Sequence, residues 1–117
     1  MLSFGALMFG SEDPKKLTAF YSKVFNVDPG WSDGEWSGFQ VGAAQIAIGP
    51  HDKVKGKNPS PERIMLSLTT EDVQGEFKRI EGYGAKVVAK PYQMGETWIA
   101  TFEDVDGNYF QLMTPMK

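Results

Sequence analysis

Apolar positions along this chain pass from a strand-like to a helix-like period and back in each half. From Phe4 to Phe9 they form a short apolar run that predicts a strand, and Asp13-Pro14 then offers a helix N-cap followed by proline at the first helical position. Leu17, Phe20, Tyr21 and Val24 fall at i, i+3, i+4 and i+7, which places one apolar stripe along that helix. Pro29-Gly30 is read as its end. A turn-rich aromatic stretch from Trp31 to Trp36 comes next, with strands predicted at Phe39 to Val41 and Gln45 to Ile48. The segment from Pro50 to Pro61, with Lys53, Gly56, Lys57, Asn58 and Pro59, reads as a linker.

The second half repeats the order. Ile64 to Leu68 predicts a strand, Thr70-Glu71-Asp72 a capped helix start, and Val73, Phe77 and Ile80 the helix stripe. Gly84 stands where a left-handed residue closes a helix, and strands are predicted around Lys86 to Ala89, Trp98 to Phe102 and Tyr109 to Met113. The last two are joined by Asp104-Val105-Asp106-Gly107-Asn108, whose Asp-Gly-Asn tolerates positive φ and marks a tight hairpin. An offset of 57 places Leu7 on Ile64, Phe9 on Leu66 and Phe20 on Phe77 (77 − 20 = 57). The pattern predicts a duplicated α+β domain of two βαβββ modules, about 1–55 and 61–117, with a linker at about 50–61. Each module would put its helix on the outer face of a curved mixed sheet, leaving an open cup on the inner face.

Composition narrows the function. With 117 residues, 41% of them hydrophobic and 23% charged, the chain has the size of one domain with a modest core. A net charge of −3 and scattered lysines give no field for a phosphate backbone, so nucleic acid is not an expected partner. No apolar run approaches the roughly 20 residues that span a bilayer, and Met1-Leu2-Ser3-Phe4-Gly5 lacks the charged start of a signal peptide, so the expected location is cytoplasmic, without a membrane partner. The absence of cysteine removes disulfides, thiolate metal sites and cysteine nucleophiles.

Asp13 to Phe25, with Phe20-Tyr21 at its centre, and Phe102 to Leu112 together resemble the vicinal oxygen chelate superfamily, which includes glyoxalase I, bleomycin-resistance proteins, extradiol dioxygenases and fosfomycin-resistance enzymes. Val105 replaces the proline usual in that family's Asp-Pro-Asp-Gly-Asn hairpin. The resemblance implies four inward-facing strand positions that hold a divalent metal in the catalytic members. Counted from the helices and the hairpin, these fall on Ala6, Ala47, Arg63 and Gln111; a shift of two residues would bring Gln45, Met65 or Ser67 inward instead. A methyl group has no lone pair, a guanidinium repels a cation, and one amide oxygen cannot hold a divalent ion. The expectation is therefore a cup with no metal and no cofactor.

Other chemistry is thin. Asp104, Asp106 and Asn108 mimic a calcium loop, but glycine comes at the fourth position and proline, Pro115, at the twelfth. His51 beside Asp52 reads as a solvated loop histidine, and Glu35, Glu96 and Glu103 as outward carboxylates. Arg63 could hold a carboxylate or enolate oxygen, and Gln111, flanked by Tyr109 and Met113 on the same face, adds a donor and an acceptor. Trp31, Trp36, Trp98, Tyr92 and Met94 give the predicted loops and rims an aromatic content that suits a planar or amphipathic ligand, with Trp36 favoured as ligand rim and Trp98 as core or cup wall. The expected ligand-binding set is Arg63, Gln111, Trp36, Trp98, Gln45 and Tyr109. The reading is a homodimer that binds or sequesters a small organic molecule in the manner of bleomycin-resistance proteins rather than turning it over. The alternative is a lyase, isomerase or dioxygenase of the same superfamily, metal-dependent or using Arg63 as electrophile.

Overall fold

The computed structural model describes residues 1–115; the last two residues of the second predicted module lie outside them. The chain divides into two compact units, one of Met1–Gly56 and one beginning at Lys57. The first contains β1 (Leu7–Ser11), α1 (Pro14–Phe25), β2 (Trp31–Asp33), β3 (Trp36–Val41) and β4 (Ala44–Pro50). Its sheet runs β1-β4-β3-β2, with β1 parallel to β4 and the other pairs antiparallel. The Asp13 carboxylate accepts a hydrogen bond from the Lys16 N–H at 3.3 Å, Pro14 opens the helix, and Pro14, Leu17, Tyr21 and Val24 are buried. Phe20 is only half-buried and stands edge-on to Tyr21, so Pro14 takes the place in the stripe that the periodicity offers it. Tyr21 contacts Phe9 and Phe25, and Phe25 meets Phe39, tying α1 to the sheet beneath. The helix ends at Phe25, before Pro29-Gly30, because Asn26 adopts a left-handed conformation with φ 56°.

The second unit contains β5 (Leu66–Thr69), α2 (Val73–Gly82), β6 (Lys86–Met94), β7 (Thr97–Glu103) and β8 (Tyr109–Met113). Its sheet runs β5-β8-β7-β6, with β5 parallel to β8. Asp72 caps α2 by accepting from the Gly75 N–H at 2.9 Å, and Val73, Phe77 and Ile80 are buried. Phe77 stacks on Phe102 and Phe102 on Phe110, so one aromatic column runs from the helix through two strands. Both sheets are four-stranded, mixed and open, not closed into a barrel, which makes the fold the α+β arrangement of repeated βαβββ units.

The repeat has a different offset from that read in the sequence. Asp13 and Asp72 are equivalent N-caps (72 − 13 = 59), and each donates its own backbone N–H to a hydroxyl two residues earlier, Ser11 Oγ and Thr70 Oγ1, both at 3.1 Å. Leu7 therefore corresponds to Leu66, and the strand predicted at Ile64 begins two residues later.

The C-terminal hairpin is built around one carboxylate. Asp104 is 3% exposed; its Oδ1 accepts from the N–H groups of Asp106 at 2.8 Å and Asn108 at 3.0 Å, and its Oδ2 from Asn108 Nδ2 at 3.0 Å. Gly107 sits at φ +79°, and a Cβ there would press on the Lys57 side chain. Lys57 and Asn58 of the predicted linker belong to this unit, since the Asn58 N–H donates to the Asp106 carbonyl at 2.9 Å and its Nδ2 to Asn108 Oδ1 at 2.9 Å.

Candidate functional site

Strand alternation separates each sheet into a face covered by its helix and a face turned away from it. In the first unit Ile46, Ile48 and Phe39 are buried on the α1 side. The other face then follows from register. Met8 pairs with Ala47, Ala47 with Gly38, and Gly38 with Trp31; the next row carries Gly10, Gly49, Trp36 and Asp33. Small residues form the floor of this face, and aromatic rings lie on it.

Two of the glycines carry an indole each. A Cβ at Gly49 would overlap Cδ2, Cε2 and Cε3 of Trp36, and one at Gly38 would overlap Nε1, Cε2 and Cζ2 of Trp31. Each tryptophan crosses to the strand beside its own, so one side of each ring is spent on backbone. The rest is accessible: Trp31 is 47% exposed and Trp36 half-buried. Beyond them Gln45 donates a short hydrogen bond to Gln40, both exposed at the end of the same face. Gly10 is covered at the other end by His51 and Val54. From Val24 through Asp52 the chain has no lysine or arginine, while Asp28, Asp33 and Glu35 are acidic.

In the second unit Phe110, Leu112, Ala100 and Phe102 are buried on the α2 side. Gln111, Tyr109, Met113, Ser67, Thr69 and Thr101 occupy the opposite face, with Ser67 paired to Gln111 and Thr101 to Gln111 across the neighbouring strands. Gln111 Nε2 donates to Met113 Sδ at 3.3 Å and to Ser67 Oγ at 3.5 Å, and Ser67 Oγ donates to the same sulfur at 3.1 Å.

The structure distributes the expected ligand-binding set unevenly. Gln111 and Tyr109 share the helix-free face of the second sheet, and Trp36 and Gln45 share that of the first. Trp98 alternates with Ala100 and Phe102, which puts it on the α2 side; its N–H donates to Thr114 Oγ1 at 2.8 Å. Arg63 lies outside any strand, in a turn where its N–H donates to the Ser60 carbonyl at 3.1 Å, and its side chain is exposed. Ala6 likewise precedes β1. Register replaces these two by Met8, the partner of Ala47, and Ser67, the partner of Gln111. Gly38, Gly49 and Met8 are the residues that sequence reasoning passed over, whereas Trp31, Ser67 and Met113 were read beside the expected set without being placed in it. The shared Ser/Thr-x-Asp before each helix was the signal for an offset of 59 rather than 57, and with Ala6 replaced by Met8 it leads to Ser67 (8 + 59 = 67).

Corrected in this way, the first pair offers a thioether and a methyl, the second a hydroxyl and an amide. Hard divalent ions want several carboxylate or carbonyl oxygens and transition ions want imidazole or thiolate, so neither pair fits the group that catalytic relatives of this fold hold. Among the described residues no group of three or more His, Asp or Glu side chains is placed to hold a metal ion. No described helix is long and apolar enough to cross a membrane.

A family model described as a glyoxalase-like domain matches residues 6–113. Among solved structures, the chain is similar to the hypothetical protein SA1046 from S. aureus, with 21% identity, a TM-score of 0.78, and coverage of 98% of this chain and 95% of that one. It is also similar to the fosfomycin resistance protein FosX from Listeria monocytogenes, with 24% identity, a TM-score of 0.69, and coverage of 99% and 93%. A glyoxalase/bleomycin resistance protein from Catenulispora acidiphila gives 16% identity, a TM-score of 0.70, and coverage of 99% of both chains. At these identities the likeness is one of fold. No curated protein matches the chain.

Proposed function

The chain belongs to the glyoxalase-like domain family, within the vicinal oxygen chelate superfamily, and we propose that it is a metal-free binding member that takes up a small, flat organic molecule. The observation that carries this reading is the pair of indoles on glycine, Trp36 on Gly49 and Trp31 on Gly38. Glycine lets a large ring lie close against the sheet, and the ring's other side then offers a rigid apolar surface at low entropic cost. A planar ligand stacks there, and the lack of cationic residues between Val24 and Asp52 disfavours an anionic one.

Binding rather than turnover is favoured by what surrounds the rings. Met8, Ala47 and the glycines are chemically inert toward an organic ligand, and the exposed turn position of Arg63 leaves it without the strand mounting that an electrophile needs. A homodimer in the cytoplasm remains part of this reading. The test is titration with 9-fluorenone, a flat neutral probe, followed by tryptophan fluorescence. Saturable quenching is expected, abolished in Trp36→Ala and kept in Trp98→Phe. Stoichiometric zinc, nickel or manganese in the purified protein, or loss of the quenching in Trp98→Phe, where Trp31 and Trp36 are the only indoles, would overturn it.

A further inference from the structure

The second unit holds two hydrogen-bond donors on a poor acceptor. Ser67 Oγ and Gln111 Nε2 both point at the thioether sulfur of Met113, at 3.1 and 3.3 Å, and lie 3.5 Å from each other. A thioether accepts weakly, whereas a carbonyl oxygen accepts two donors along its lone pairs. Ser67 and Gln111 are register partners on the parallel strands β5 and β8, and Met113 is two residues beyond Gln111, so all three project from one side of a rigid sheet. The surroundings are mixed: Tyr109 flanks Gln111, and Ile99 is opposite Met113. Neither donor carries charge, and an uncharged acceptor matches them without the desolvation penalty of a carboxylate.

We propose that Ser67 and Gln111 form a receptor for the carbonyl oxygen of a neutral organic ligand, with the Met113 sulfur as the internal group that occupies it until the ligand arrives. The site lies wholly in the second unit. Binding rotates the flexible methionine side chain aside, and both donors transfer to the ligand oxygen. Removing the sulfur frees the donors, so Met113→Leu strengthens carbonyl binding, the reverse of what loss of a packing contact does.

Acetophenone and α-methylstyrene test this, because they share a shape and differ in C=O against C=CH2. Each is titrated into the full chain, with the Gln111 side-chain amide and the Met113 methyl followed by NMR. Acetophenone is expected to shift both signals and to bind about fivefold more tightly than α-methylstyrene, the equivalent of one net hydrogen bond of ~1 kcal/mol. That preference is expected to disappear in Ser67→Ala/Gln111→Leu, with the backbone spectrum unchanged, and acetophenone affinity to rise in Met113→Leu. Equal affinity for the two probes, a preference that survives the double variant, weaker binding in Met113→Leu, or no shift at either signal would each overturn it.

Discussion

The Trp36 indole lies across Gly49, one register step beyond the Ser37–Ile48 pair, and any side chain at Gly49 would enter the ring. The same relationship joins Trp31 to Gly38. In both cases the glycine is a close-approach residue: it gives a large ring a seat on the sheet, and the strand bonds hold that seat in place.

Gly49→Ala is therefore expected to expel the Trp36 ring. Overpacking of this kind costs about 1–3 kcal/mol. Chemical denaturation reads the cost, and a red shift of tryptophan emission reports the ring moving into water. Quenching by 9-fluorenone falls with it, whereas Gly5→Ala, at an open position, changes neither.

Arg63→Ala is expected to leave stability within about 0.5 kcal/mol of the parent, since the side chain is exposed on a turn. It is also expected to leave 9-fluorenone binding unchanged. A loss of binding would return Arg63 to the ligand site.

Asp104→Ala is expected to destabilise the C-terminal hairpin. Three N–H donors, from Asp106, Asn108 and the Asn108 side chain, lose their acceptor at a buried position, a loss on the order of 2–4 kcal/mol. Amide hydrogen exchange measures it directly, with protection falling first at Asp106 and Asn108. Protection unchanged there would mean that the hairpin is held by its strands alone.

Added Zn²⁺, Ni²⁺ or Mn²⁺ is expected to leave the melting temperature unchanged, because an ion stabilises a fold only in proportion to its preferential binding to the folded state. A concentration-dependent rise in Tm with any of them would show a donor set other than the pairs Met8–Ala47 and Ser67–Gln111.

Much of the fold was legible in the residues. Asp13-Pro14, Asp72 and Gly84 are local signals whose effect depends on a few neighbouring backbone groups, and the structure uses all three as read: two N-caps, and a C′ glycine at φ +85°. The Asp106-Gly107-Asn108 hairpin is local in the same sense. Arg63 shows where legibility stopped. Counting back from a helix assumes a loop length, and an even displacement, four residues between Arg63 and Ser67 (67 − 63 = 4), preserves the alternation while assigning the wrong residue to the site.

By itself, the sequence determined the two helices, most of the strands, the repeat and the family resemblance, because caps, turns and apolar periods act over a few residues. Only the tertiary structure decided that Trp31 and Trp36 rest on Gly38 and Gly49, that Trp98 turns to the α2 side, and that Met8 and Ser67 are the partners of Ala47 and Gln111. Those relationships join residues on different strands, and inter-strand register is set by the hydrogen-bonded pairing of segments far apart in the chain.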